Sequence, residues 1–205
     1  MKRNILILLF LISSGLSYAQ ESKNAIKMTS SYSSIDSELS DILRFEGIEY
    51  LKISFTGKEL KDKSYHLSVK EIWDGVIKSD TTIINSAKIS FQQLSKVNDT
   101  IFNLKVISKL TQENKLKMTF KFPRFSTTKE FDAIDSDDYS LRNVAEVSGE
   151  KIEYGKKFYL LAYILPYEKD GMKYWCAVES SGKEIESWGK EFGIKHYLVF
   201  EMIFE

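Results

Sequence analysis

The 205-residue chain has very little cysteine and histidine, and these shortages exclude several kinds of structure and chemistry. Cys176 is the sole cysteine, so no disulfide can form within the chain. His66 and His196 are the only histidines, and the sequence has neither an HExxH motif nor a Cys/His zinc spacing. A Gly-x-Ser-x-Gly nucleophile motif and a phosphate-binding glycine loop are absent as well. We therefore expect Cys176 to be a buried, inert thiol and both histidines to be structural.

The chain also lacks an excess of positive charge. It has 29 Lys and Arg against 29 Asp and Glu, a formal net charge of zero. Because a protein that coats phosphate groups needs a clear basic excess, nucleic acid is not an expected partner.

Residues 1–20, MKRNILILLFLISSGLSYAQ, have the layout of a secretory signal peptide. A positively charged start precedes an apolar run at 5–12, and Ser17 and Ala19 place small residues at −3 and −1 of a cut before Gln20. The apolar run is far shorter than the roughly 20 residues of a membrane-spanning helix. We therefore expect residues 1–19 to be removed, which leaves 27 basic and 29 acidic residues and a net charge of −2. The mature chain is predicted to reach the periplasm or the extracellular space without a transmembrane segment.

An alternation of apolar and polar residues with period two dominates the chain from residue 41 onward, and it predicts strands with one buried face. The stretch at 158–167, FYLLAYILPY, is apolar on both faces and predicts a central strand that is covered on both sides. Asp-Gly pairs at 74–75 and 170–171 predict hairpin turns. The other predicted strands lie at 65–73, 115–122, 172–178 and 194–204, with weaker ones at 48–56, 82–91 and 101–108.

Many short strands with frequent turns and little helix predict an all-β fold. We expect a single two-sheet β-sandwich domain over 41–205, jelly-roll or immunoglobulin-like, with a closed β-barrel as the alternative. Residues 20–40 are rich in serine and poor in apolar residues, so a flexible N-terminal segment is expected there.

The stretch at 130–142, EFDAIDSDDYSLR, holds the densest group of acidic residues. When the twelve-residue calcium loop is laid on it, Tyr139 and Ser140 break the pattern at positions 5 and 6, which excludes an EF-hand. A looser Ca²⁺ site stays open, and it would use the oxygen ligands Asp135, Asp137, Asn143 and Glu146.

The same acidic stretch fits the start of a short helix near 137–147. Asp135 or Ser136 would cap its first turn, and Gly149 would end it. A third interpretation is a hydrolase that uses a pair of Asp and Glu side chains within 130–146, as glycosidases use two carboxylates.

Aromatic residues are the remaining candidates for ligand contact. Trp73 is in phase with the apolar face of its strand and is expected in the core. If they are exposed, Trp175, Trp188 and Tyr139 could form a platform that stacks against sugar rings.

Several stretches resemble exported proteins of the Bacteroidetes. The likeness lies in the SYAQ cut and in FPRFSTTKEFDAI, DDYSLR, FYLLAYILPY, YWCAVE and HYLVFEMIFE. Residues 45–205 resemble a family of uncharacterised exported proteins from this group, a domain of unknown function. The resemblance implies an all-β exported domain and transfers no functional residues. The triplets at 80–82 and 99–101 are similar to the O-glycosylation pattern of the group, which would make Thr81 and Thr100 sugar acceptors.

Together these features favour an exported, non-enzymatic binding or assembly module that recognises a glycan or another exported protein. No cofactor is expected, and Ca²⁺ is the one metal with candidate ligands. The alternatives are a hydrolase with a carboxylate site and a calcium-dependent binding module.

Overall fold

The structure is a computed structural model that describes residues 25–149, 151–175 and 184–205. The predicted signal peptide and Cys176 lie outside these ranges. No helix within them combines the length and the apolar character that crossing a membrane would require. The helices are α1 (Ser37–Phe45), α2 (Gln92–Ser95), α3 (Val144–Ser148) and α4 (Trp188–Phe192), with 3₁₀ turns at Ser86–Lys88 and Ile185–Ser187.

The described ranges are mostly β, and every pair of neighbouring strands is antiparallel. The strands are β1 (Ala25–Tyr32), β2 (Glu49–Thr56), β3 (Tyr65–Trp73), β4 (Val76–Asn85), β5 (Ile101–Leu110), β6 (Lys115–Lys121), β7 (Ser126–Asp132), β8 (Ser140–Asn143), β9 (Ile152–Glu153), β10 (Phe158–Ile164), β11 (Tyr167–Lys169), β12 (Met172–Tyr174) and β13 (His196–Phe204). One sheet has the order β7-β6-β5-β2-β1-β9, a second has the order β4-β3-β13-β10-β8, and β11 pairs with β12.

The inner faces of the two large sheets meet through aromatic side chains. Phe55 of β2 and Phe102 of β5 both contact Phe204 of β13, with ring centroids 5.1 and 5.7 Å apart. Further along, Phe120 of β6 lies 5.3 Å from Phe200 of β13. All of these rings are buried, so the inward positions of the period-two pattern form the core.

Most predicted strands are present, but three end at least three residues early. The strand expected at 172–178 ends at Tyr174, and positions 176–178 lie outside the described residues. The weak strand expected at 82–91 ends at Asn85, because Ser86 leaves the sheet and its hydroxyl bonds the backbone of Tyr65 and Ser95. The long strand expected at 158–167 stops at Ile164. Pro166 follows two residues later, and it has no N–H to donate to a ladder.

The part of the segment expected to be flexible, 20–40, that the structure describes begins at residue 25 and contains a strand and the start of a helix. β1 pairs with β2 from Lys27 to Tyr32, and α1 begins at an Asp36 cap that accepts hydrogen bonds from two backbone N–H groups. The prediction was wrong because β1 contributes backbone hydrogen bonds to the sheet while it buries few side chains. The described domain therefore begins before residue 41.

The helix expected near 137–147 is shorter and starts later. Residues 140–143 form β8 against β10, and α3 starts after Asn143, whose side chain accepts from the N–H of Glu146 at 3.2 Å. Gly149 ends the helix in a left-handed conformation, φ 59°, as expected. The prediction that Asp135 or Ser136 caps the helix was wrong. Pairing with β10 determines the conformation of 140–143, and it outweighs the local preference for a helix.

Candidate functional site

The acidic residues of the 130–146 region do not converge on one point. Asp138 forms an ion pair with Lys173 at 2.6 Å, whereas Asp135 and Asp137 are exposed. Within the described ranges, no three His, Cys, Asp or Glu side chains form a group that could hold a metal ion. The acidic residues of the predicted Ca²⁺ site therefore do not surround a common point.

Two of the predicted calcium ligands, Asn143 and Glu146, do lie together. The Asn143 amide donates to Glu146 Oε2 at 2.7 Å and to Ser30 Oγ at 2.8 Å. Its oxygen accepts from the backbone of Glu146, so it already has a partner. These hydrogen bonds cap α3 and connect it to Ser30 of β1.

Tyr139 is buried against His196, so it cannot serve in an exposed platform. It is 8% exposed, and its Oη accepts from the Ile134 N–H at 3.1 Å and lies 2.5 Å from His196 Nδ1. His196 is 0% exposed, and burial lowers its pKa to about 4. The imidazole is therefore neutral at pH 7, and the Trp73 ring lies 4.0 Å away from it.

Glu71 lies on the other side of the imidazole. Its Oε1 is 3.9 Å from His196 Nε2 and accepts from Trp73 Nε1 at 2.7 Å. Because Tyr139 Oη already accepts from the Ile134 N–H, we infer that its hydrogen points to Nδ1 and that the imidazole proton is on Nε2, facing this carboxylate. The sequence of contacts from Tyr139 through His196 to Glu71 resembles a catalytic relay. However, the imidazole is buried, so a substrate cannot reach it.

Neither tryptophan of the predicted platform presents an open ring. Trp188 is 1% exposed in α4, which is held to β13 by the Gly189 N–H donating to the Tyr197 hydroxyl at 3.0 Å. Trp175 is half-buried, its Nε1 donates to the Asp138 carbonyl at 2.5 Å, and the Arg142 guanidinium lies 5.6 Å from its ring. Burial therefore excludes Trp188 and Tyr139 from the predicted platform, whereas ligand contact by Trp175 stays a prediction.

Both predicted sugar acceptors are accessible. Thr81 is exposed on β4, at the edge of its sheet. Thr100 is exposed just before β5, and its N–H donates to Asp99 Oδ1 at 2.6 Å. Exposure meets one requirement of an acceptor, and glycosylation itself stays a prediction.

A cleft with a different set of residues opens beside β3, β5 and the turn between β6 and β7. We call it the Arg124 cleft. It has a volume of about 200 Å³ and is lined by residues that include Gln93, Asn98, Asp99, Ile101, Arg124 and Phe125. This is a small space for a ligand pocket and fits about one ring-sized group.

One wall of the Arg124 cleft belongs to an aromatic stack. The rings of Tyr65 and Phe122 are stacked at 5.4 Å, and those of Phe122 and Phe125 at 4.8 Å. Tyr65 and Phe122 are buried and Phe125 is half-buried, so the stack runs from the core to the cleft. Packing on the core makes this wall rigid.

The rim of the Arg124 cleft is polar. Arg124 Nη1 lies 3.4 Å from both the backbone and the side-chain oxygens of Gln93, and Asn98 Nδ2 lies 3.4 Å from the same backbone oxygen. A guanidinium has five donors, so most of those on Arg124 are available to a ligand. An apolar wall with a few directional polar groups is the common composition of a small-ligand site.

The cleft could not be predicted from the sequence, because its lining residues come from three separated segments, at 65, 93–103 and 123–125. The one local signal is the run FPRF at 122–125, in which Pro-Arg stands between two aromatic residues just after a predicted strand. Comparisons of the chain with protein-family models, with curated proteins and with solved structures find no match.

Proposed function

We propose that this protein is an exported, non-enzymatic binding module that takes one sugar ring of a glycan into the Arg124 cleft. The observation that carries the proposal is the combination of a rigid aromatic wall with a rim of amide, carboxylate and guanidinium groups.

The chemistry of a sugar matches both parts of the cleft. A pyranose ring has apolar C–H faces, which an aromatic wall such as Phe125 can cover. Its hydroxyls lie around the ring edge, where Arg124 can donate and Asp99 can accept. A volume of about 200 Å³ suits a single ring, so we infer that the cleft recognises a chain end or a branch.

The proposal includes a two-sheet sandwich as the scaffold rather than a closed barrel. In the described ranges β4 pairs with β3 alone and β7 with β6 alone, which leaves both sheets with open edges. The aromatic contacts between the inner faces, such as Phe55 with Phe204, support the same scaffold.

The lining of the cleft favours binding over hydrolysis. Asp99 is the one carboxylate among its described lining residues, and its Oδ1 already accepts from Thr100. Glycoside hydrolysis ordinarily uses two carboxylates across the scissile bond.

A hydrolase has one supporting observation elsewhere. Glu49 and Asp137 line a cavity of about 370 Å³, and burial raises the pKa of Glu49. However, Glu49 accepts from the Leu141 N–H at 2.5 Å and from Ser140 Oγ at 3.0 Å. We assign Glu49 the role of holding β8. An assay for reducing ends released from a retained glycan tests this assignment. We expect no release, and release would favour the hydrolase.

A protein partner is the second candidate, and exposed apolar residues near the cleft favour it. Phe91, which precedes α2, is 73% exposed, and Ile101 on the cleft lining is 48% exposed. Such residues commonly contact a partner protein. A partner captured through Phe91, with no glycan retained, would favour this candidate over a glycan.

The test is affinity electrophoresis of residues 20–205 through gels that contain soluble polysaccharides, run in calcium and in EDTA. We expect retardation by at least one polysaccharide in both conditions, and its loss in Arg124→Ala and Phe125→Ala. Lys78→Ala is the control, because Lys78 is exposed on β4 in the other sheet. Retardation that both cleft variants keep would contradict the proposed site, and retardation in calcium alone would favour the calcium-dependent module.

A further inference from the structure

Three lysines lie side by side on the solvent-facing side of the six-stranded sheet. Lys52 of β2 is directly opposite Lys105 of β5, and Lys105 is directly opposite Lys121 of β6. Lys105 and Lys121 are exposed and Lys52 is half-buried. We call these three residues the lysine row.

The arrangement opposes the stability of the sheet, because like charges directly opposite each other on neighbouring strands destabilise it. Among the residues that the structure describes, no carboxylate lies within ion-pair distance of any of the three. The nearest aromatic contact is that of Lys52 with the Tyr50 ring, at 5.4 Å.

Two other lysines on the same side are paired with acids on the neighbouring strand. Lys115 of β6 is opposite Asp132 of β7 and forms an ion pair with it. Lys117 is opposite Glu130 and lies 3.5 Å from it. The sheet thus places acids opposite some of its lysines and leaves the lysine row unpaired, as an anion-binding surface requires.

Small polar residues surround the lysine row. Ser31 is opposite Lys52 at one end and Ser126 is opposite Lys121 at the other. A shallow groove of about 270 Å³ is lined by Thr29, Ser31, Lys52, Ser54, Asn103 and Lys105, among others. Asn103 also lines the Arg124 cleft, so the groove and the cleft meet at this residue.

We propose that the lysine row binds the charged groups of a linear acidic polysaccharide, whose end or branch enters the Arg124 cleft. This inference rests on the proposed function and names the class of its glycan. Neighbouring strands are about 4.8 Å apart, so the row extends over about 10 Å in a straight line. A polymer with charges repeated along its length can contact all three lysines at once, whereas a single small anion cannot.

The surroundings of the row favour a polysaccharide over a nucleic acid. The serine, threonine and asparagine side chains of the groove can bond sugar hydroxyls. Proteins that hold single-stranded nucleic acid use aromatic side chains on which successive bases stack, and the groove lining has none.

The experiment is affinity electrophoresis of residues 20–205 in gels that contain polygalacturonate, dextran sulfate, dextran or duplex DNA. We expect retardation by polygalacturonate and dextran sulfate that weakens as salt is added, and little by dextran. Lys105→Glu should weaken it about tenfold, because it turns one attraction into a repulsion. Lys78→Glu is the control, because it changes the net charge by the same amount at an exposed position on the other sheet. It should have little effect on retardation.

Thermal unfolding separates loss of binding from loss of folding. Lys105→Glu places an acid between Lys52 and Lys121, so we expect it to melt at a higher temperature than the wild type while it binds less well. Retardation that Lys105→Glu keeps would overturn the inference. So would equal retardation by dextran and dextran sulfate, or retardation by DNA with none by either acidic polysaccharide.

The results also separate this inference from the proposed function. If a neutral polysaccharide retards the protein, and Arg124→Ala abolishes this while Lys105→Glu does not, the cleft proposal stands and the inference is wrong. If no polysaccharide retards the protein at all, both are wrong.

Discussion

The Tyr139 hydroxyl oxygen lies 2.5 Å from Nδ1 of His196, in a site where both side chains are buried. This bond joins the segment before β8 to the first residue of β13. We infer that the neutral imidazole has its proton on Nε2, which lies 3.9 Å from Glu71 Oε1. Tyr139, which the sequence offered as a ligand contact, thus stabilises the end of the core, and His196 is structural as expected.

The buried imidazole predicts a specific loss of stability in acid. The pKa of His196 is lowered to about 4, against about 6.5 in the unfolded chain, so below pH 6.5 the unfolded state binds more protons. Stability should therefore be complete above pH 6.5 and should fall between pH 6.5 and 4, by about 3 kcal/mol from this group. Urea unfolding across this range measures it.

His196→Gln should flatten that fall, because its amide can accept from Tyr139 and cannot be protonated in this range. His66→Gln is the matched control, since it removes the other histidine and leaves the buried site intact. Equal slopes in the wild type and in His196→Gln would contradict a buried neutral imidazole.

Tyr139→Phe should destabilise the fold by about 2 kcal/mol, because it leaves His196 Nδ1 and the Ile134 N–H without their partner. Retention on polysaccharide should be unchanged in folded protein, since Tyr139 is outside the Arg124 cleft. Chemical denaturation gives the free energy of unfolding. Tyr174→Phe serves as the control, because among the described residues the one hydrogen-bond contact of its hydroxyl is a long one to the Met172 sulfur, at 3.9 Å. Equal effects of the two changes would argue against the buried bond.

Trp188→Ala should cost about 4 kcal/mol, as expected for a large side chain removed from a core. Lys190→Ala, a nearby exposed change in the same helix, should cost little. Thermal and urea unfolding of the pair measures the difference. A Trp188 variant as stable as the wild type would mean that the ring lies at the surface, and the platform hypothesis would return.

Calcium should leave the melting curve of residues 20–205 unchanged relative to EDTA, because Asp135, Asp137 and Glu146 form no common site in the described structure. A bound ligand at a hundredfold excess over its dissociation constant would add about 2.7 kcal/mol. A rise in calcium that the double change Asp135→Ala and Asp137→Ala removes would restore the metal site.

The sequence predicted β3 and the core positions well, because their signals are local. Alternation places Tyr65, Leu67 and Val69 on one side, and the turn at Asp74 and Gly75 ends the strand. β8 could not be predicted in the same way, since its four residues carry no periodic signal. Its conformation comes from pairing with β10 and from the carboxylate of Glu49.

The candidate site was harder to predict, because it depends on which distant segments meet. The exposure of Trp188 is set by α4 folding onto β13, and no local pattern reports that contact. The alternation over 115–122 predicted a strand with one buried face, but the register that sets Lys105 between Lys52 and Lys121 requires the paired strands.

The most direct test of the central claim is to map backbone amide chemical shifts while an oligogalacturonate is added to isotope-labelled protein. The account predicts changes concentrated at 93–103 and 123–125, with a second set around the lysine row. Shift changes confined to the surroundings of Trp175 would contradict this prediction. So would a spectrum that neither the oligogalacturonate nor a neutral oligosaccharide changes.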